Sequence, residues 1–177
     1  TRRLAGPVAG LLAGCAMLLA AARAGAQVAP AAGKVPAALT LIPPASPDIR
    51  YVGRFERSDA NCYRFAWGGC QVQFRFTGPS ASVLLEDTAS GGPHKVRGTN
   101  NNYFEVIVDD RPPVALGLEK GKTAYEVVAG AGAGEHTVTI FRRTEPLFGE
   151  VRFRGILLDA GAKLLPQPAA PQRLIEF

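Results

Sequence analysis

An all-β fold, with two antiparallel sheets packed as a jelly-roll sandwich, is what this sequence predicts. Three observations predict it. Apolar residues recur with period two, as in Gln71-Val72-Gln73-Phe74-Arg75-Phe76, the pattern of a strand with one buried face. The runs are short and separated by turn chemistry: Thr77-Gly78-Pro79, Asp109-Asp110-Arg111-Pro112, Glu119-Lys120-Gly121-Lys122 and the glycine-rich 130–134. No stretch between residues 50 and 160 sustains a helical period.

In chain order, residues 1–26 read as a secretion signal. Arg2 and Arg3 precede an apolar stretch, and Ala24-Gly25-Ala26 has the small-x-small form of a cleavage site. A membrane span is the weaker reading, because the stretch is rich in Ala and Gly. The chain is therefore expected to be secreted or periplasmic. A lipoprotein alternative runs through Leu12-Ala13-Gly14-Cys15, with Cys15 acylated, and only that route would attach it to a membrane. Residues 27–49 hold five of the 14 prolines and suit an extended linker.

The sandwich is expected over residues 50–160. Inward positions are Val72, Phe74 and Phe76; Ala81, Val83 and Leu85; Phe104, Val106 and Val108; Tyr125 and Val127; Val138 and Ile140; and Val151, Phe153 and Leu157. Shorter strands are expected at 51–56, 63–67 and 114–118. Residues 161–177 read as a second linker that ends in a new apolar run, Leu174-Ile175-Glu176-Phe177.

Charge excludes one class of partner. Without Arg2, Arg3 and Arg23 of the signal, 17 basic residues face 15 acidic ones, and a net charge of +2 makes no electrostatic case for nucleic acid. The remaining cysteines, Cys62 and Cys70, form an even pair in an oxidising compartment and predict a disulfide. Closing so short a loop contributes roughly 2.5 kcal/mol. Against the bridge, a tight hairpin at Gly68-Gly69 would leave Cys62 too far down its strand. Either that connection is a wider corner or the thiols are free.

Several of these segments resemble the N-terminal jelly-roll domain of carbohydrate esterase family 2. The resemblance rests on Tyr51-Val52-Gly53-Arg54-Phe55, Arg64-Phe65-Ala66-Trp67-Gly68-Gly69 and Phe74-Arg75-Phe76-Thr77-Gly78. It continues in Gly134-Glu135-His136-Thr137-Val138, Arg142-Arg143-Thr144-Glu145 and Gly155-Ile156-Leu157-Leu158-Asp159. In that family the jelly roll precedes an SGNH (GDSL-type) serine hydrolase domain, whose opening strand Leu174–Phe177 resembles. The resemblance implies a parent enzyme that removes O-acetyl groups from polysaccharides such as xylan or mannan. All its catalytic residues would lie beyond Phe177.

Residues 1–177 are thus expected to be non-catalytic and cofactor-free, with the hydrolase domain and acetylated polysaccharide as partners. There is no Gly-x-Ser-x-Gly elbow. Of the two histidines, His136 shares a register with Val138 and Ile140 and reads as structural, and His94 reads as a solvated loop residue. Asp109-Asp110 and Asn100-Asn101-Asn102 lack calcium-loop spacing and read as turn formers, so no metal is expected. Trp67 reads as core, being the single Trp of a small sandwich; the alternative is a sugar-stacking platform with Tyr63 and Tyr103. Arg142, Arg143 and Glu145 read either as a surface ion-pair cluster or as a docking point for the hydrolase.

Overall fold

A computed structural model describes residues 38–88 and 102–169 of the chain. The strands are β1 (Leu39–Ile42), β2 (Ile49–Val52), β3 (Glu56–Asp59), β4 (Cys62–Phe65), β5 (Gln71–Thr77), β6 (Ala81–Asp87), β7 (Tyr103–Val108), β8 (Val114–Gly117), β9 (Ala124–Val128), β10 (Glu135–Arg142), β11 (Val151–Asp159) and β12 (Lys163–Leu165). The only helical element among the described residues is the single 3-10 turn Pro146–Phe148. The strands form two sheets, β3-β4-β11-β6-β9 with β1 beside β11, and β12-β5-β10-β7-β8 with β2 beside β5. Every pairing is antiparallel, and the architecture is a jelly-roll sandwich.

Two long strands organise the sheets. β11 pairs with β6 along one edge, while β4 takes Val151–Phe153 and β1 takes Ile156–Asp159 on the other. β5 is built the same way, with β10 on one edge and β2 and β12 sharing the other. Their inward residues meet in one core that includes Phe74, Phe76, Leu85, Phe104, Val138 and Phe153, all fully buried. Each such side chain contributes roughly 1.5–3 kcal/mol of transfer free energy.

The two-residue rhythm places most of this core, and it slips at two bulges. On β11, Phe153 opposes Leu85 and Gly155 opposes Leu84, so Arg154 is an extra residue. Beyond it the parity changes: Ile156 and Leu158 are buried, and Leu157, expected inside, faces outward. On β9, Ala81 opposes Val128 and Ser82 opposes Glu126, which leaves Val127 as the extra residue and buries Val128 instead.

The chain also enters the sandwich earlier than its composition implies. Residues 39–49, read as linker, include β1, which completes the outer edge of β11, and the start of β2. The strand expected over 51–56 divides into β2 and β3 at Gly53, which has φ +101° and leaves no room for a Cβ beside the Cys70 sulfur. Past residue 160, β12 still pairs with β5. The apolar run 174–177 and the signal segment lie outside the described residues.

The expected Cys62–Cys70 disulfide is corrected to two buried free thiols. β4 belongs to one sheet and β5 to the other, so Ala66–Gly69 is a corner between layers and not a hairpin. Cys62 stands at the far end of β4, about 10 Å of extended strand from Phe65. Cys70 sits past the corner, where its thiol donates to the Arg54 carbonyl at 3.6 Å.

Gly155 provides the sharpest test of the β11 bulge. Its φ is +127°, and a Cβ there would collide with the carbonyl oxygen of Ile42 in the adjoining β1. Gly155→Ala is expected to cost about 3 kcal/mol through backbone strain and the clash. Gly132→Ala, in open space, should change stability by less than about 0.5 kcal/mol. Urea unfolding of both variants checks the contrast.

Candidate functional site

The corner Ala66–Gly69 gathers the residues singled out from the sequence at one end of the sandwich. Arg142 lies beneath it. This residue shares the inward register of Val138 and Ile140 and is fully buried, so its expected place in a surface ion pair or docking point is corrected. One terminal nitrogen of Arg142 donates to the Phe65 carbonyl at 2.8 Å. The other donates to Asn102 Oδ1 at 2.6 Å and to the Gly149 carbonyl at 2.7 Å, and Nε reaches Thr144 Oγ1 at 3.3 Å. Thr144 in turn donates to Asn102 Oδ1 at 2.8 Å.

Asn102, also fully buried, carries the network to the other sheet. Its Nδ2 donates to Asp87 Oδ1 at 2.9 Å and to the Phe148 carbonyl at 3.1 Å, and its backbone N–H donates to Asp87 Oδ2 at 3.2 Å. The knot therefore joins β4 and β6 of one sheet to β7 and β10 of the other, and no buried side-chain N or O among the described residues lacks a partner. Burial pushes the Arg142 guanidinium down to about 10, so it stays charged at neutral pH.

Above the knot, the Gly69 N–H donates to the Arg142 carbonyl at 2.9 Å, and the Arg142 N–H donates to the Cys70 carbonyl at 2.9 Å. Those two bonds hold the corner so that Trp67 projects outward, 51% exposed; its expected place in the core is corrected. The indole had nowhere inside to go, because Phe65 and Cys70 already fill the core on either side of the corner. Arg54 lies over the Trp67 ring at 5.1 Å. Arg143 (54% side-chain exposure, 3.5 Å from Glu105) and Glu145 flank the same corner on the surface. Tyr63 and Tyr103 do not extend a platform from Trp67: Tyr63 packs on Tyr51 at 5.1 Å, and Tyr103 lies over Gly117.

An open groove of about 760 Å³ runs beside the corner, lined by Trp67, Arg54, Phe55, Glu56, Arg57, Arg64 and Glu150 among others. Glu56, Arg64 and Glu150 on its wall are linked at 2.9 Å and 3.8 Å, and the chain of ion pairs continues away from the groove through Glu150–Arg152 at 3.9 Å, Arg152–Glu86 at 3.8 Å and Glu86–Arg154 at 2.9 Å. Hydrogen bonds from Ser58 and then Arg64 hold the Glu56 carboxyl down to about 2. A second, smaller cavity of about 250 Å³ lies at the far side of the sandwich between β8 and β9, walled largely by Val and Ala side chains.

His136 has the structural role expected of it. Nδ1 lies 3.1 Å from Asp109 Oδ2 and Nε2 lies 3.0 Å from the Gly132 carbonyl, so both ring nitrogens face acceptors. Asp109 Oδ1 also accepts the Thr137 N–H at 3.0 Å. No nitrogen is left to take a proton from a nucleophile, and no metal-holding cluster of His, Cys, Asp or Glu occurs among the described residues. His94, Asn100 and Asn101 lie outside the described residues.

Fold and site together define a jelly-roll module with a polar knot at one end and an exposed aromatic and cationic groove above it. Its family is equally plain: the chain belongs to the carbohydrate esterase 2 N-terminal family, whose model matches residues 51–168. The chain is 36% identical over 132 residues to the cellulase/esterase CelE of Acetivibrio thermocellus, covering 75% of this chain and 15% of that protein. It is 29% identical over 129 residues to an acetylxylan esterase / glucomannan deacetylase of Cellvibrio japonicus, covering 73% of this chain and 33% of the other. Among solved structures it resembles a family two carbohydrate esterase from Clostridium thermocellum in complex with cellohexaose, with 35% identity and a TM-score of 0.57. That match covers 68% of this chain and 34% of the other. The chain thus spans about a third or less of the length of the curated relatives it matches.

The His136 contacts generate a pH prediction. The Gly132 carbonyl, then Asp109, raises the imidazole pKa above its ordinary value. A raised histidine stabilises the fold fully below its unfolded pKa of about 6.5, and that contribution is lost as pH rises through the folded value. Asp109, lowered chiefly by the Thr137 N–H, works in the opposite direction and loses its contribution only in acid. The stability difference between wild type and His136→Gln should be largest near pH 6 and shrink toward pH 9, as read by urea unfolding across that range. A difference independent of pH would contradict the imidazolium assignment.

Proposed function

We propose that the sandwich is the non-catalytic accessory domain of an exported carbohydrate esterase that removes O-acetyl groups from plant polysaccharides of the xylan and mannan type. In this reading it packs against a C-terminal SGNH serine hydrolase domain and supports it. The observation that carries the reading is proportion. The chain matches the N-terminal family over residues 51–168, and its matched relatives are esterases three to seven times the length of the aligned part. The fold supplies a reason for the division of labour: His136, the one histidine among the described residues, is committed to Asp109 and Gly132.

Export follows from the segment 1–26, with cleavage after Ala26, and the alternative is lipidation at Cys15. A second reading, an independent carbohydrate-binding module, is favoured by one observation, the outward Trp67 with Arg54 above it.

One set of preparations tests the proposal. Residues 27–177 should show no turnover of acetylated xylan or of p-nitrophenyl acetate, whereas the protein extended through a following hydrolase domain should show both. The hydrolase domain alone should melt several degrees below the same domain joined to the sandwich. Turnover by residues 27–177, or equal melting temperatures, would refute the accessory role. Mass spectrometry of the exported protein should find Gln27 at its N-terminus.

A further inference from the structure

Among the described residues, two cations in the groove beside Trp67 have no acid of their own. Both glutamates there are engaged: Glu56 accepts from Ser58 at 2.7 Å and from Arg64 at 2.9 Å, and Glu150 is shared by Arg64 and Arg152. Arg54 and Arg57 pair with no carboxylate among the described residues. Aromatic rings hold them instead: Arg54 over Trp67 at 5.1 Å, and Arg57 over Tyr51 at 4.8 Å, Tyr63 at 5.6 Å and Phe55 at 5.8 Å. Both guanidinium groups are exposed, and their planar forks match a carboxylate.

From this arrangement we infer that the groove is a binding site for uronic-acid-bearing polysaccharide. The carboxylate of a uronate pairs with Arg54 and Arg57, and a neighbouring pyranose ring lies against the exposed part of Trp67. The inference rests on the polysaccharide-esterase reading above and adds to it a ligand class and a place. At about 760 Å³ the groove is within the size range of small-molecule sites.

The wall of the groove decides between a polysaccharide and a protein as occupant. On that wall Glu56, Arg64 and Glu150 form partly exposed ion pairs. Covering them with a dry protein interface would remove those charges from water at a cost their mutual attraction does not fully return. A polysaccharide lying in an open groove leaves these pairs hydrated and binds through water as well as by direct contact. An acidic protein surface is the competing occupant, and the test separates it.

Isothermal titration of residues 27–177 should detect glucuronoxylan and show at least tenfold weaker binding of the same polymer after its uronate carboxyls are reduced to alcohols. Arg54→Gln/Arg57→Gln and Trp67→Ala should each weaken binding of the native polymer at least tenfold. Circular dichroism and melting temperature should stay unchanged, because all three side chains are on the surface. Raising sodium chloride from low to high concentration should weaken binding of the native polymer and not of the reduced one.

Equal affinity for native and reduced polymer, no binding of either, or unaltered affinity in the variants would each overturn the inference. So would poly-glutamate binding as tightly as glucuronoxylan, which would point to an acidic protein partner. Failure here with the hydrolase still stabilised by the sandwich would leave the accessory role intact. Loss of that stabilisation with glucuronoxylan still bound would sink the accessory role and leave the binding site.

Discussion

The buried guanidinium of Arg142 is the constraint on which this end of the molecule depends. Two sheets of a sandwich are held by an apolar interior that is non-directional and tolerates sliding. At one end the chain replaces that interior with a charged, fully hydrogen-bonded knot whose geometry admits one arrangement. Arg142 on one sheet reaches the Phe65 carbonyl on the other, and Asn102 answers by reaching Asp87. Leaving any of these groups unpaired costs several kcal/mol, so the knot specifies the relative placement of β4, β6, β7 and β10. The corner that bears Trp67 is hung directly on the backbone of the same residue.

That connection links the interior to the groove. Because Gly69 and Cys70 bond to the Arg142 backbone, the direction of Trp67 is set from within the sandwich. Arg54 and Arg57 are placed by the strands β2 and β3 and by the rings they cover. A platform and two cations are therefore fixed before any ligand arrives, which reduces the ordering cost of binding. The partly exposed ion pairs of Glu56, Arg64 and Glu150 beside them keep that wall of the groove wet, and so keep the site open to a hydrophilic chain.

Much of this fold was legible in the residues, and the failures have physical causes. Period-two alternation reports burial faithfully while a strand is regular, which is why Val72, Phe74, Phe76, Val83 and Leu85 fall where the pattern puts them. It cannot report an inserted residue, so the bulges at Arg154 and Val127 reversed the parity after them. β1 was hidden because Leu39–Ile42 is short, lies among prolines, and pairs with a strand more than a hundred residues away. Gly155 was the available clue, since glycine inside a strand marks a bulge or a close approach of backbone.

The site was less legible than the fold. The expectation for Trp67 came from its residue type, and it failed because the residue lies on a corner between sheets and not within a strand. Arg142 was misplaced for the opposite reason: charge argued for the surface, although its register with His136, Val138 and Ile140 pointed inward. The buried Asn102, 40 residues away, gave no local signal of partnership. Resemblance identified the family without placing any of these contacts.

The most direct test of the knot is a double-mutant cycle on Arg142→Met and Asn102→Leu, read by urea unfolding. If one network joins the sheets, removing both residues should cost less than the sum of the single losses, with a coupling of about 2–3 kcal/mol. Strictly additive losses would mean that the two residues act independently, and would contradict the account.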